Sequence, residues 1–448
     1  MKVAWFVALF SAICLEGLGR KYLPAVPSVA FYVLKDVVLI IGYFRFRPPL
    51  PVRKMQRYLY RGFESIWFAG LGWTLLQMFN PEHQSFPLAL LGIRAYWLWW
   101  IAPPIIAGVL MNPRHKGKAI YALIIMAVGI SVFAAVQFVS PADSAVNLYT
   151  VRDGQEIYAA DTATVASTGR ARVASTFSFL SGFADFTVLI PVLLLSIGLE
   201  AKDRRLRRAA LFATLATAAV VPMAGSRGSV IAAALVLLIA LWSAGLFFTR
   251  LGRRVLLGGI VAVFLSVSAF PDAMIGVSNR FGSAEETAGR FAELANFLPP
   301  VALLRLEYPT LGVGTGMMQN ARMSMPGVSS KWEAEGEVQR LLIELGPIGF
   351  LLVWIAKLGL MIALFRAYKM LKNAGRRGAA SAALTYAVLT MMGNLVFDHV
   401  YQALYFVGCG FVLAEVTSLM RVQSPPGAPA RAEPAGPPPV VTPATTSS

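Results

Sequence analysis

Arg227 sits in Ala224-Gly225-Ser226-Arg227-Gly228, a turn between two apolar runs. An arginine at membrane depth is costly unless it finds a partner. A guanidinium flanked by glycines is well placed to hold a phosphate with two parallel N–H bonds, and the start of the next helix adds a favourable dipole. The alternative is an interfacial arginine that snorkels to water. Arg290, in Gly289-Arg290, is a second candidate anion contact. Arg172, with Arg170 in Gly169-Arg-Ala-Arg172-Val-Ala-Ser-Thr176-Phe177, is a third. Glu333-Ala-Glu335-Gly-Glu337-Val-Gln-Arg340 directly precedes the apolar run from Leu341 to Phe365. Carboxylates at alternate positions repel one another, so one of them is a ready proton acceptor. That suits general-base chemistry, with Glu335 and Glu337 as candidates. An acidic helix start favoured by the helix dipole is the competing reading.

The elements that must position these residues are membrane helices. The chain has 448 residues, 57% of them hydrophobic and only 14% charged, against about 25% charged in an ordinary soluble domain. The apolar residues cluster into runs near the ~20 residues that cross a bilayer. The fold expected is an all-α polytopic membrane protein with about twelve spans. These fall at 3–19, 29–45, 61–79, 87–111, 119–139, 177–199, 209–224, 228–248, 255–271, 340–365, 380–397 and 402–419. The first nine, with their loops, make a region 1–271, which includes an outer segment at 140–176. A large outer loop at 272–339 follows, with amphipathic helices expected in it, for instance over 284–306, where acids precede alternating apolar and polar residues. The last three spans occupy 340–421. The tail from 422 to 448 is rich in proline and alanine and reads as a disordered cytoplasmic extension.

The net charge of +17 follows topology rather than nucleic acid. Lysine and arginine gather in short loops, such as Arg204-Arg205 with Arg207-Arg208, Arg253-Arg254 and Arg376-Arg377. Assigning those loops to the cytoplasm gives one alternation, with both termini inside and 80–86, 140–176, 225–227, 272–339 and 398–401 outside. Anionic lipid headgroups are secondary partners. The first run resembles a signal peptide, but Glu16 and Arg20-Lys21 stand where a cleavage site is expected, so a retained helix is favoured. Cys14 and Cys409 lie in apolar runs and read as small hydrophobes. His83, His115 and His399 are too scattered in sequence to suggest a metal site, and no phosphate-binding nucleotide loop is present. Acids are scarce within the spans. Glu64, Asp185 and Asp398 lie near helix ends, which argues against an ion-coupled pump. The cluster Tyr96-Trp97-Trp99-Trp100 suits interfacial packing better than sugar stacking.

Four stretches together give a resemblance: Arg172-Val-Ala-Ser-Thr-Phe before a helix; Ser226-Arg227-Gly228 at a helix start; Pro309-x-Leu-Gly312-x-Gly314-x-Gly316; and Glu344-Leu-Gly346-Pro-Ile-Gly349-Phe. In this order the chain resembles the superfamily of O-antigen ligases and Wzy-type polymerases, bacterial membrane glycosyltransferases of the GT-C kind. The stretch from Gly19-Arg-Lys-Tyr-Leu-Pro24 through Phe31-Tyr32 to Lys35-Asp36 resembles the exopolysaccharide-polymerase branch. The resemblance implies an inner-membrane enzyme with a periplasmic active site. It transfers a glycan from undecaprenyl pyrophosphate to an acceptor hydroxyl, either on another lipid-linked repeat unit (polymerase) or on lipid A-core (ligase). It implies no cofactor, nucleotide sugar or metal, and it suggests a chain-length regulator and a flippase as protein partners. Arg227 and Arg290 would hold the pyrophosphate, with Arg172 beside them. Many members carry a His-Asn pair nine residues before the glutamate of the E-x-G-x-x-G stretch; Glu335 stands there in this chain. A transporter of lipid-linked oligosaccharide and a non-enzymatic scaffold are the readings of another class.

Overall fold

The computed structural model describes residues 1–23, 26–152, 155–162, 164, 169–247, 249–269, 308–319, 331–334 and 336–423. Arg290, Glu335, the expected amphipathic helix at 284–306 and nearly all of the proline-rich tail lie outside the described residues. Among those described, the chain is mostly helical. The departures from an all-helical fold lie inside the 140–176 segment: a small antiparallel hairpin, β1 (Leu148–Arg152) paired with β2 (Gln155–Tyr158), and an isolated bridge between Thr164 and Ala171.

The first helix breaks where the sequence predicts one run. α1 (Lys2–Cys14) and α2 (Glu16–Tyr22) meet at an angle of 57°. α3 (Ser28–Arg45), α4 (Leu50–Tyr60), α5 (Glu64–Leu76) and α6 (Phe86–Trp97) follow. A short 3-10 turn links α6 to α7 (Ala102–Leu110), and α8 (Pro113–Val139) comes next. The Asn112 side chain caps α8 by accepting the Arg114 and His115 amides. After the hairpin and the one-turn α9 (Ala159–Thr162) come α10 (Leu180–Glu200), α11 (Arg204–Ala219), α12 (Arg227–Ser243) and α13 (Arg250–Ala269). The last three helices are α14 (Glu337–Asn373), α15 (Arg377–Met392) and α16 (His399–Gln423).

Among the described residues, six helical segments are long and apolar enough to cross a membrane: Phe86–Leu110, Pro113–Val139, Leu180–Glu200, Arg204–Ala224, Glu337–Asn373 and His399–Met420. The bent α1–α2 pair makes a seventh if it counts as one span. Several of the other expected runs, out of about twelve, form helices shorter than a full crossing. A helix rises about 1.5 Å per residue. α5, with 13 residues, therefore covers about 20 Å of a hydrocarbon core about 30 Å thick. α12 with 17 residues and α15 with 16 also fall short of the usual length. α14 errs the other way. Its 37 residues are interrupted at Gly346, which has φ +66° and ψ 178° and precedes Pro347. The nine residues before this break form a separate short helix. The freed Leu345 carbonyl accepts a bond from the Trp73 indole at 2.9 Å.

α16 is the most enclosed span, with 83% of its apolar window buried. It packs against α7, α10 and α15, and α10 in turn touches α11, α12 and α15. Side chains of several basic segments are joined at one end of the bundle. Lys116 pairs with Glu415. Arg376 pairs with Glu200 at 2.7 Å and also with Glu415. Arg366 donates to the Leu59 carbonyl at 2.7 Å and to that of Arg61 at 3.1 Å.

Candidate functional site

At the other end, the first two motif stretches come together. The Val173 amide donates to the Met223 carbonyl at 3.0 Å. This lays the extended segment 172–174 along the 3-10 turn Val221–Ala224. The Arg172 side chain lies over Gly225, which has φ +61°; a Cβ there would stand 3.0 Å from Arg172 Nε. Arg227 opens α12 two residues later, and Ser226 caps that helix by accepting the Ser229 amide at 3.4 Å. Arg172 and Arg227 therefore flank one turn, as two anion contacts would. On the far side of Arg172, burial raises the phenol of Tyr149 on β1 above its usual range, while the Arg172 guanidinium pulls against that shift.

From Arg172 the contacts continue inward. Thr176 Oγ1 donates to the Cys14 carbonyl at 2.5 Å, and Ser178 Oγ donates to Glu16 Oε1 at 3.4 Å. Glu16 is buried and holds two cations, Lys35 and Arg20, the latter at 3.6 Å. The next residue, Asp36, pairs with Arg94 and accepts the Trp99 indole at 3.1 Å. The Arg94 guanidinium lies 4.2 Å from the Tyr32 ring centroid, and the Lys35 ammonium 4.9 Å from it. Buried ions persist only when paired and hydrogen-bonded; here α2, α3 and α6 each supply part of one connected network.

A second cluster centres on Glu344, which is fully buried. Its Oε2 accepts the Tyr96 hydroxyl at 2.8 Å and the Gly316 amide at 2.9 Å. Its Oε1 accepts the Met318 amide at 2.8 Å and Arg340 Nε at 3.1 Å. All four bonds run to a charged acceptor, the stronger kind. The Ile343 and Glu344 carbonyls also accept the Val313 and Gly314 amides at 2.8 and 3.1 Å. The glycine stretch 309–316 is thus laced onto the helix that carries Glu344. Gly316 has φ +90°, and a Cβ on it would fall 2.0 Å from the Leu88 carbonyl. The loop's outer side is tied by His83 Nε2 to the Thr315 carbonyl at 2.8 Å, and by Asn80 and Gln77 to the Gly312 and Leu311 carbonyls at 2.9 and 2.6 Å.

Glu337 is not solvated. It pairs with Lys357 of the same helix, beyond the Gly346 break, and its Oε2 accepts the Val396 amide at 2.7 Å. Both carboxylate oxygens are engaged, so this residue fixes the start of α14 against the turn before α16. In that turn Asp398 accepts the Val400 and Tyr401 amides at 2.8 and 3.1 Å and caps α16. Asp185 of α10 lies beside the Asp398 side chain. Beside it, the His399 ring meets Tyr32 edge-on at 5.5 Å, and its Nε2 stands 3.3 Å from Gln319 Oε1.

The described candidates therefore separate into Arg172 with Arg227 at one turn and Glu337 in an ion pair. Buried Arg340 and half-buried Arg94, Tyr32 and His399 are polar groups to which the sequence reading gave no role of their own. The available signal was the interruption of predicted apolar runs by charged residues: Lys35-Asp36 within 29–45, Arg94 within 87–111 and Arg340 at the start of 340–365. A scan against protein-family models and a search of the curated proteins find no match to this chain. What the described residues define is a mostly helical membrane protein with a buried ionic network at one end of its bundle.

Proposed function

We propose that the protein is a Wzy-like polysaccharide polymerase. In this reading it takes glycan repeat units from undecaprenyl pyrophosphate at the periplasmic face of a bacterial inner membrane and transfers them to an acceptor sugar hydroxyl. About twelve crossings, cytoplasmic termini and an outer 272–339 loop belong to the same reading. One observation carries it: the four motif stretches fall in two packed pairs, 172–177 against the turn before 226–228, and 309–316 against the helix that carries Glu344. A path of hydrogen bonds, ion pairs and one shared helix links the pairs: Ser178 bonds Glu16, Glu16 pairs with Lys35, its neighbour Asp36 pairs with Arg94, and Tyr96, on the same helix as Arg94, donates to Glu344. The polymerase-like segment 19–36 supplies the middle of it.

In this mechanism the polyprenyl tail stays in lipid. Arg227 and Arg290 bind the diphosphate and offset its charge as it leaves the anomeric carbon, with Arg172 beside them. Glu335 takes the acceptor proton as that hydroxyl attacks with inversion. Glu337, already paired with Lys357, holds the neighbouring backbone. No metal is required. Ligation to lipid A-core is the second reading, since the same contacts would serve either acceptor. Reconstitution with lipid-linked repeat units separates them. A ladder of products on the carrier supports the polymerase, transfer only on adding lipid A-core supports the ligase, and no transfer in either case refutes both.

A further inference from the structure

Buried polar groups in folded proteins nearly always find partners. Three side chains around His399 do not. Arg94 Nη1, Arg340 Nη2 and Gln319 Nε2 are buried without a hydrogen-bond acceptor. They are not loose groups. The Arg340 side chain is 2% exposed and that of Arg94 10%. The remaining atoms of both arginines are committed. Arg94 Nε binds Asp36; Arg340 Nε binds Glu344 and Nη1 the Val396 carbonyl at 3.1 Å. Gln319 spends its oxygen on His399 at 3.3 Å and keeps its amide hydrogens unmet. The Tyr32 ring joins the group, with Arg94 on its face and His399 at its edge.

Two features define what these donors want. All three unmet groups are N–H donors, so the missing partner is an acceptor. Two of the three donors belong to guanidinium groups, each with one nitrogen on a carboxylate and another unmet, so an anionic acceptor suits them best. We infer that Arg94, Arg340 and Gln319 form a second anion site beside His399, taking an oxyanion group, a carboxylate or a phosphate, of the glycan substrate. It is distinct in residues from Arg172, Arg227 and Arg290. That the ligand is a substrate rests on the proposed function; that an oxyanion binds does not. The ligand oxygens bridge the Arg94 and Arg340 edges, and the Gln319 amide supplies a third bond. A sugar carrying a carboxylate fits this donor set, and so does one phosphate of the carrier.

Binding of small probes to the purified full chain in detergent tests this without turnover. The probes are methyl glucuronide, neutral methyl glucoside and inorganic pyrophosphate, and the readout is calorimetric affinity. Gln319→Leu breaks no ion pair. Arg94→Lys keeps the charge beside Asp36 but removes Nη1. The expected result is that an anionic probe binds wild type, the glucoside does not, and each variant weakens that probe by about tenfold. Loss of glucuronide binding assigns the site to an acidic sugar. Loss of pyrophosphate binding in these variants, with glucuronide silent, assigns it to the carrier. The inference is overturned if glucuronide and glucoside behave alike and pyrophosphate affinity is the same in wild type, Gln319→Leu and Arg94→Lys. That outcome would leave ordinary buried water as the partner of these groups. Undiminished anion binding in the variants beside intact wild-type glycan transfer would overturn this inference alone, whereas failed wild-type transfer with anion binding lost in the variants would overturn the transferase reading alone.

Discussion

Replacing Glu344 by glutamine removes one charge and almost no volume, so its effect isolates the carboxylate. Two donors converge on each oxygen: the Tyr96 hydroxyl and Gly316 amide on one, the Met318 amide and Arg340 Nε on the other. Glutamine offers one acceptor and one NH2 group. Whichever way it turns, its NH2 faces two former donors. An orphaned buried amide costs about 1–3 kcal/mol, and a buried arginine stripped of its counter-charge about 3–5 kcal/mol. These overlap, because Arg340 is one of the four donors, so the expected destabilisation is about 3–5 kcal/mol. Polytopic proteins often unfold irreversibly, so the assay is the fraction surviving as a monodisperse species after stepwise heating in detergent. Glu344→Gln is expected to lose that species well below the wild-type temperature. Adding Arg340→Met should recover part of the loss, since removing both partners spares the uncompensated charge, with a coupling of order ~2 kcal/mol. Glu344→Gln melting with wild type, or simple addition of the two single effects, would refute the account of Glu344 as the anchor of the glycine loop.

Other outcomes follow from the same geometry. Gly316→Ala should destabilise by more than about 1 kcal/mol through its positive φ alone, and by more again because its Cβ meets the Leu88 carbonyl. Gly117→Ala, in open space on α8, should be neutral or stabilising by up to about 1 kcal/mol; the same heating series reads both. Lys357→Met should destabilise by about 3–5 kcal/mol by leaving Glu337 buried and unpaired, and Glu337→Met in the same chain should restore much of it. Arg227→Lys should fold normally yet slow glycan transfer at least about tenfold, because a point charge lacks the two-pronged bond to phosphate. Steady-state transfer with a lipid-linked donor measures it, and an unchanged rate removes Arg227 from the diphosphate site.

The helices were legible because lipid demands apolar runs, and the runs at 119–139 and 177–199 lie within α8 and α10 or nearly so. Helix ends were harder to read. The run at 3–19 is one apolar stretch, but it bends at Leu15, where the chain turns Glu16 toward Lys35. The break in α14 had a signal in Gly346-Pro347, and so did the hairpin, since Asp153-Gly154 is a turn pair between alternating residues. Arg172 and Arg227 stood out singly, because each carries a local glycine or helix-start context; that Arg172 lies over Gly225 was not legible. The ionic network was not. Glu16, Lys35-Asp36, Arg94 and Arg340 belong to four different helices, and one charge per helix looks like an interfacial residue until tertiary packing brings the four together. Glu344 was read as part of a motif, but its four hydrogen bonds depend on a glycine loop that ends 28 residues earlier in the chain.

The central claim is glycan transfer from a polyprenyl diphosphate. It is tested most directly by counting released polyprenyl diphosphate against new glycosidic bonds, by mass spectrometry of proteoliposomes supplied with lipid-linked repeat units. The account predicts one carrier released per bond formed, without added metal or nucleotide sugar, and neither product with Arg227→Ala. A donor that stays intact beside correctly folded wild-type protein, or bonds formed without carrier release, would contradict it.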